Sequence, residues 1–185
     1  GTRTIPVIVK EELVRRAEAL CREKAIVAVL PMPAKRVHLV VTGSEVFTGR
    51  IKDGFGPVVT KKVNELGSAL ESVKLAPDDS DVIAEDIKEA KQAGADVILV
   101  SGGMSVDPDD KTPEGIRKSG AVVETHGFPV LPGSMFLMAY LGDTPVMGLS
   151  GCVLHDPFTA FDALLPRLLA GEKITRAEIM AMGHG

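Results

Sequence analysis

"ILVSGGMSVDPDDKTPEG", residues 98 to 115, runs from an apolar strand through two glycines and a crowd of acids into a proline-led helix start. A strand that feeds a helix through glycines belongs to α/β architecture, where such turns let backbone amides close on a phosphate or another anion. The same turn carries Asp107, Asp109, Asp110 and Glu114, which repel an anion. One loop therefore holds both an anion cradle and a nest of carboxylates, and the rest of the chain has to explain that pairing.

On its N-terminal side, "ADVILV" (95–100) completes the strand, and "DVIAEDIKEAKQAG" (81–94) before it has a helical pattern. That helix sets Val82, Ile83, Ile87 and Ala90 on one side and takes Asp81 as its cap. "ESVKLA" (71–76) is a strand ending at Pro77. "GPVVTKKVNELG" (56–67) is a helix with Val59, Val63 and Leu66 inward and Gly67 as its C-terminal cap. "VHLVV" (37–41) is a short apolar strand of the kind buried in a parallel sheet. Downstream, Thr112 as N-cap with Pro113 at the first helical position opens "PEGIRKSG". "AVVETH" (121–126) and "TPVMGL" (144–149) are two more strands, and Asp156 with Pro157 caps a helix running towards Leu169. The alternation predicts an α/β sandwich with a largely parallel sheet over residues 36–171. Residues 1–35 precede it, with a helical stripe of Leu13, Ala17, Leu20 and Cys21 in 9–24 and an apolar linker, "AIVAVLPMPAKR", broken by Pro31 and Pro33. Residues 172–185 form a C-terminal tail.

Composition narrows the function classes. The chain has 185 residues, 45% of them hydrophobic, enough for one buried domain with a small appendage. A net charge of -4 argues against a general nucleic-acid surface. No apolar run reaches the roughly 20 residues of a membrane span, and no secretory signal opens the sequence. Cys21 and Cys152 lie far apart and outside any C-x-x-C spacing, which fits a reducing compartment. The expected location is the cytoplasm. The first residue is Gly1 rather than Met, so the sequence reads as a piece of a longer protein.

In open α/β sheets ligands bind beyond the carboxyl ends of the strands. Four such ends are distinctive here: "TGSE" (42–45), "PDD" (77–79), "SGGMSVDPDDKT" (101–112) and "LSGC" (149–152). Thr42, Ser44, Ser101, Ser105 and Ser150 supply hydroxyls, while Gly43, Gly102, Gly103 and Gly151 allow close backbone approach. Neither G-x-x-x-x-G-K-[ST] nor G-x-G-x-x-G occurs, and no histidine pair has metal-ligand spacing. Cys152 has no evident base and reads as a packing residue. Glu45, Asp78 and Asp110 converge with the glycine turns, and a hard cation reconciles them with an anion. Mg²⁺ is held by one or two carboxylates plus substrate phosphates.

"VVTGSEV", "SGGMSVDPDDKTPE", "LPGSMF" and "GLSGCV", in this order, resemble the motifs of the molybdenum-cofactor biosynthesis family over residues 37–171. The "DKTPE" tail is similar to the adenylyltransferase branch of that family, and "LPGSMF" and "GLSGCV" to the molybdenumtransferase branch. The resemblance implies a three-layer α/β/α sandwich with a mostly parallel, mixed sheet that assembles as a homodimer or homotrimer. It implies catalytic roles for Asp110, Glu45 and Asp78, with Asp110 and Glu45 holding the metal. It also implies cofactor contacts from Thr42, Gly43, Ser101, Gly102, Gly103, Ser105, Gly133, Ser150 and Gly151. The implied ligands are molybdopterin or its adenylylated form, Mg²⁺ and molybdate. Two positions depart from the motifs: Ser134 replaces a lysine and Cys152 an asparagine. The implied function is Mg²⁺-assisted molybdate insertion or adenylyl transfer on molybdopterin. The alternatives are a non-catalytic carrier serving a molybdenum hydroxylase client and, further off, a generic phosphosugar or nucleotide enzyme.

Overall fold

The computed structural model describes all residues except 1–7, 24–26, 28, 30, 106, 108, 184 and 185, so part of the stretch read as a linker lies outside the described residues. The chain divides into a short unit, residues 1–31, and a large one, residues 32–185. In the short unit helix α1 (Glu11–Glu23) carries the expected stripe, with Leu13 and Leu20 exposed.

The large unit contains β1 (Arg36–Thr42), α2 (Ser44–Phe47), α3 (Phe55–Glu65), β2 (Ala69–Ala76), α4 (Ser80–Gln92), β3 (Val97–Ser101) and α5 (Thr112–Lys118). It continues with β4 (Val122–His126), β5 (Leu137–Leu141), β6 (Thr144–Leu149), a 3-10 turn at Gly151–Leu154, α6 (Ala160–Leu169) and α7 (Arg176–Ala181). The strands form one sheet in the order β2-β1-β3-β6-β5-β4. The first four are mutually parallel, and β5 is antiparallel to both its neighbours. The fold is therefore the mixed α/β sandwich that the motifs imply.

Strand alternation builds a core on each face of the sheet. Val37, Leu39, Val41, Val97 and Leu99 join one cluster with Val59 and Val63 of α3 and Phe161, Leu164 and Leu168 of α6. Val40, Ile98 and Val100 join the other with Ile83 and Ile87 of α4 and Ile116 of α5. Burial on both faces is why the central strands read as unbroken apolar runs rather than as alternating ones. The stretch after Gly171 belongs to the same body, since Ile174 and Ile179 are fully buried in the first cluster.

Several local expectations shift. A sixth strand, β5, was not expected; "LMAYL" meets β6 through a two-residue Gly142-Asp143 turn with Leu141 opposite Thr144. The cap of α4 is Asp79, whose Oδ1 accepts from the amides of Asp81 (2.8 Å) and Val82 (3.1 Å), so Asp81 is already inside the helix. These two amides hold the Asp79 carboxyl below the usual carboxylate range. Helix α6 starts at Thr159 rather than Asp156, because Asp162 reaches back to the Thr159 amide at 2.8 Å and closes a capping box. Asp162 also pairs with Lys62 of α3 at 2.5 Å, fastening the two helices on that face together. Thr112 is the first helical residue of α5 and its hydroxyl is turned elsewhere.

Tyr140 pins the chain after α6. Its hydroxyl accepts from the Ile174 amide at 2.7 Å and donates to the Ile174 carbonyl at 3.2 Å, with the ring 6% exposed. Tyr140→Phe strands both backbone groups and should cost about 1–3 kcal/mol. Urea denaturation followed by circular dichroism measures it; a loss below about 0.5 kcal/mol shows that water replaces the hydroxyl freely.

Candidate functional site

The four parallel strands end level with one another. Thr42 lies opposite Ala76, Ser101 opposite Val41, and Leu149 opposite Ser101. The loops that follow β2, β1, β3 and β6 therefore rise from one edge of the sheet. The β4–β5 connection, which contains Gly133, crosses the same edge because β4 runs parallel to β6.

At the centre, the β3 loop lies directly on the end of β1. Gly102 has φ +88°, and a Cβ there would fall 2.1 Å from the Thr42 carbonyl oxygen. Gly103 has φ +51°, and its Cβ would fall 2.9 Å from Thr112 Oγ1. Only glycine meets both demands, a left-handed backbone and no side-chain volume. Beneath the two glycines, Thr42 Oγ1 and Thr112 Oγ1 share a buried hydrogen bond of 2.9 Å that ties β1 to α5. Ser101 lies opposite Val41 and so faces the other side of the sheet from Thr42; its Oγ is fully buried there and has no hydrogen-bond partner. A buried hydroxyl without a partner costs stability unless water or a ligand completes it.

The acids of the β3 loop are bound within the loop itself. Asp110 Oδ2 accepts from the Ser105 amide at 2.6 Å and from its hydroxyl at 2.7 Å. The Asp107 amide donates to Ser105 Oγ at 3.1 Å, and the Asp109 amide to Asp107 Oδ1 at 2.9 Å. This is why four carboxylates coexist in a short segment: backbone amides are folded onto two of them.

The β1 and β2 loops are joined in the same way. The Gly43 amide donates to the Ala76 carbonyl at 3.1 Å, and the Ser44 amide donates to Asp78 Oδ2 at 2.7 Å. The two adjacent aspartates thus divide their work, Asp78 binding the neighbouring loop and Asp79 capping α4. Glu45 is exposed in the first turn of α2. Beyond β6, Ser150 is buried and Gly151 exposed, with nothing within 4 Å of where a Gly151 Cβ would lie. Gly133, at φ +115°, packs against Ala160 at the start of α6, where a Cβ would come within 2.9 Å.

The edge thus brings Thr42, Gly43, Glu45, Asp78, Ser101, Gly102, Gly103, Ser105, Asp110, Ser150 and Gly151 onto adjacent loops, with Gly133 on the outer connection. Among the described residues no group of three or more His, Cys, Asp or Glu stands close enough to hold a metal ion. Thr112, a cap by its sequence position, supports the floor of the site instead. Its place in "DKTPE" was the available signal. No helix of the described residues is long and apolar enough to cross a membrane.

Residues 38–170 match the family model described as "Probable molybdopterin binding domain". A CinA-like protein of Mycobacterium leprae is 35% identical over 83 residues, 45% of this chain and 19% of that protein. The chain thus matches only about a fifth of the length of such relatives. The molybdopterin biosynthesis enzyme MoaB of Thermus thermophilus superposes with a TM-score of 0.60 at 20% identity, over 75% of this chain and 98% of that one, a likeness of fold. The molybdopterin biosynthesis MoeA protein of Pyrococcus horikoshii superposes with a TM-score of 0.59 at 26% identity, over 85% of this chain and 40% of that one.

Proposed function

Since the chain belongs to the molybdopterin-binding domain family of molybdenum-cofactor biosynthesis, we propose that it binds molybdopterin across the carboxyl edge of its sheet and acts on the phosphate end. The observation that carries this reading is the crowded junction of Gly102 and Gly103 on Thr42 and Thr112 at the end of the central strands. It is a rigid backbone turn in which neither glycine sets a side chain between the backbone and a ligand. Thr42, Gly43 and Ser105 border the phosphate, and Ser150, Gly151 and Gly133 border the rest of the ligand.

The acids fit a Mg²⁺ that arrives with the phosphate rather than one lodged permanently in a protein cage. Mg²⁺ needs only one or two carboxylates when phosphate and water fill its other positions. Asp110 spends Oδ2 on Ser105 and keeps its second carboxylate oxygen for such a cation, while Glu45 is exposed on the neighbouring β1 loop. When bound, the cation neutralises phosphate charge and orients the reacting oxygen. In adenylyl transfer, that oxygen forms a bond to the α-phosphorus of a nucleoside triphosphate and pyrophosphate leaves. In molybdate insertion, the two dithiolene sulfurs bond to molybdenum while one oxo group takes up the two thiol protons and leaves as water. The chain's own residues do the holding: backbone amides fix the phosphate, Asp78 holds the β1 loop in place, and Asp110 sets the β3 loop around Ser105.

One observation favours a second reading, a carrier that holds finished cofactor for a molybdenum hydroxylase. Asp78 and Asp110 both commit an oxygen to loop amides, as scaffold residues do. Titrating the protein with molybdopterin under anaerobic conditions tests both at once. Saturable binding with turnover of ATP or molybdate supports the enzyme, binding without turnover supports the carrier, and no binding with or without Mg²⁺ removes both.

A further inference from the structure

On the α4 face of the sheet, near the start of β1, lies a cleft of about 210 Å³ lined by His38, Ser72, Lys74, Asp86, Glu89 and Ala90. His38 is four residues before Thr42, so the cleft is about 13 Å along the strand from the carboxyl edge. Lys74 Nζ bridges Asp86 Oδ1 at 2.6 Å and Glu89 Oε2 at 2.5 Å. His38 Nδ1 shares a hydrogen bond of 2.8 Å with Ser72 Oγ. Two atoms are left over. Asp86 is 5% exposed and His38 7%, yet Asp86 Oδ2 and His38 Nε2 have no hydrogen-bond partner. Glu71 Oε2 stands 3.6 Å from His38 Nε2, too far for a hydrogen bond. Buried polar atoms are almost always paired, so two orphans lining one cleft point to an occupant.

We infer that this cleft binds a primary ammonium group carried on a short apolar stem. Charge excludes an anion: Lys74 alone opposes Asp86, Glu89 and the nearby Glu71. The bonds from Asp86 and Glu89 also keep the Lys74 amine charged, so it cannot serve as an acceptor. Acceptors are what the cleft offers. Two orphaned acceptors line it, Asp86 Oδ2 and, when Nδ1 donates to Ser72, His38 Nε2. Glu71 Oε2 lies 3.6 Å from the latter just outside the lining, and a primary ammonium carries three N–H donors and a positive charge. A water molecule would bring two donors and leave the negative charge uncompensated. The remaining wall includes Val40, Ala90 and Ala93, which suits a short alkyl chain. This inference stands apart from the molybdopterin reading and does not depend on it.

The test is a titration of the full chain with butylammonium chloride at constant ionic strength, followed by amide NMR. The expected result is saturable shifts confined to the start of β1, β2 and α4, with His38 in the Nδ1–H tautomer. n-Butanol, of equal length but uncharged, should bind at least about tenfold more weakly. Asp86→Asn should weaken butylammonium by a similar factor. Ala93 is exposed at the end of α4 and lines the cleft, so Ala93→Leu should narrow it without touching an ion pair. N-acetyl-lysine methylamide distinguishes a partner's lysine side chain from a free amine as the source of the group. Unsaturated shifts, equal binding of butanol, or affinity within twofold of the parent in Ala93→Leu would each overturn the assignment and leave the orphans to water.

Discussion

Gly102→Ala should be the most damaging small substitution at the candidate site, costing about 3 kcal/mol of stability and most of the ligand affinity. The new Cβ would sit 2.1 Å from the Thr42 carbonyl oxygen and 2.8 Å from Thr42 Oγ1, and the first of these is backbone that cannot rotate away. The residue would also keep φ near +88°, a conformation that costs an L side chain about 1–3 kcal/mol. The chain can only respond by lifting the β3 loop off β1, which parts Thr112 from Thr42. Gly151→Ala is the control, since no atom lies within 4 Å of its Cβ position and its φ is not left-handed. Its stability should stay within about 0.5 kcal/mol of the parent. Chemical denaturation of both variants decides the matter. If Gly102→Ala is as stable as Gly151→Ala, the close approach is not a feature of the folded protein.

Asp110→Asn should abolish the response of ligand binding to Mg²⁺. In the parent, adding Mg²⁺ is expected to tighten molybdopterin at least about tenfold, equivalent to about 1.4 kcal/mol. The amide keeps an oxygen for the Ser105 amide but loses the charge that retains a cation, so the variant should respond less than about twofold. The substitution is not silent for folding, because Asp110 accepts two short hydrogen bonds from Ser105. Weakening them should cost about 1–2 kcal/mol, since bonds to a charged acceptor are worth more than neutral ones. Without Mg²⁺ the variant should bind the phosphate at least as well as the parent, one repelling charge having gone. Asp79→Asn serves as the comparison. Asparagine caps helices as well as aspartate does, so α4 stays intact and the Mg²⁺ response should be unchanged. Equal Mg²⁺ responses in parent and Asp110→Asn would make Asp110 a loop fastener alone.

The sequence disclosed the central strands because they are buried on both faces and so contain little but Val, Ile and Leu. Val97 to Val100 and Val37 to Val41 could hardly be anything else. Strand β5 escaped because "LMAYL" is a five-residue run whose only boundary signals are the Gly142-Asp143 turn and a glycine-proline loop otherwise read as a ligand motif. The caps were displaced by two or three residues for a common reason. Each helix start offers several short polar side chains, Asp78, Asp79 and Asp81 around the start of α4 and Asp156 and Thr159 before α6, and only backbone geometry selects among them. The site residues were legible as glycines and acids at strand ends. Their tasks were not, because whether a carboxylate faces a ligand or its own loop depends on hydrogen bonds such as Asp110 to Ser105. His38 and Asp86 gave no sign in sequence, being single polar residues within a strand and a helix.

The level ending of four parallel strands has a further consequence, for ligand size. Neighbouring strands are about 4.8 Å apart, so three intervals from β2 to β6 set the strand ends at Ala76 and Leu149 about 14 Å apart across the edge. The edge is in effect a gauge. A bare phosphate is short enough to meet only the inner pair of loops, around Gly43 and Gly102, while an extended molecule can engage the outer pair as well. The reversal at β5 fixes one end of the scale, because past β6 the next crossing is the connection through Gly133, pressed against Ala160. On the proposed reading, discrimination between a cofactor and its fragments follows from length before any single contact is counted.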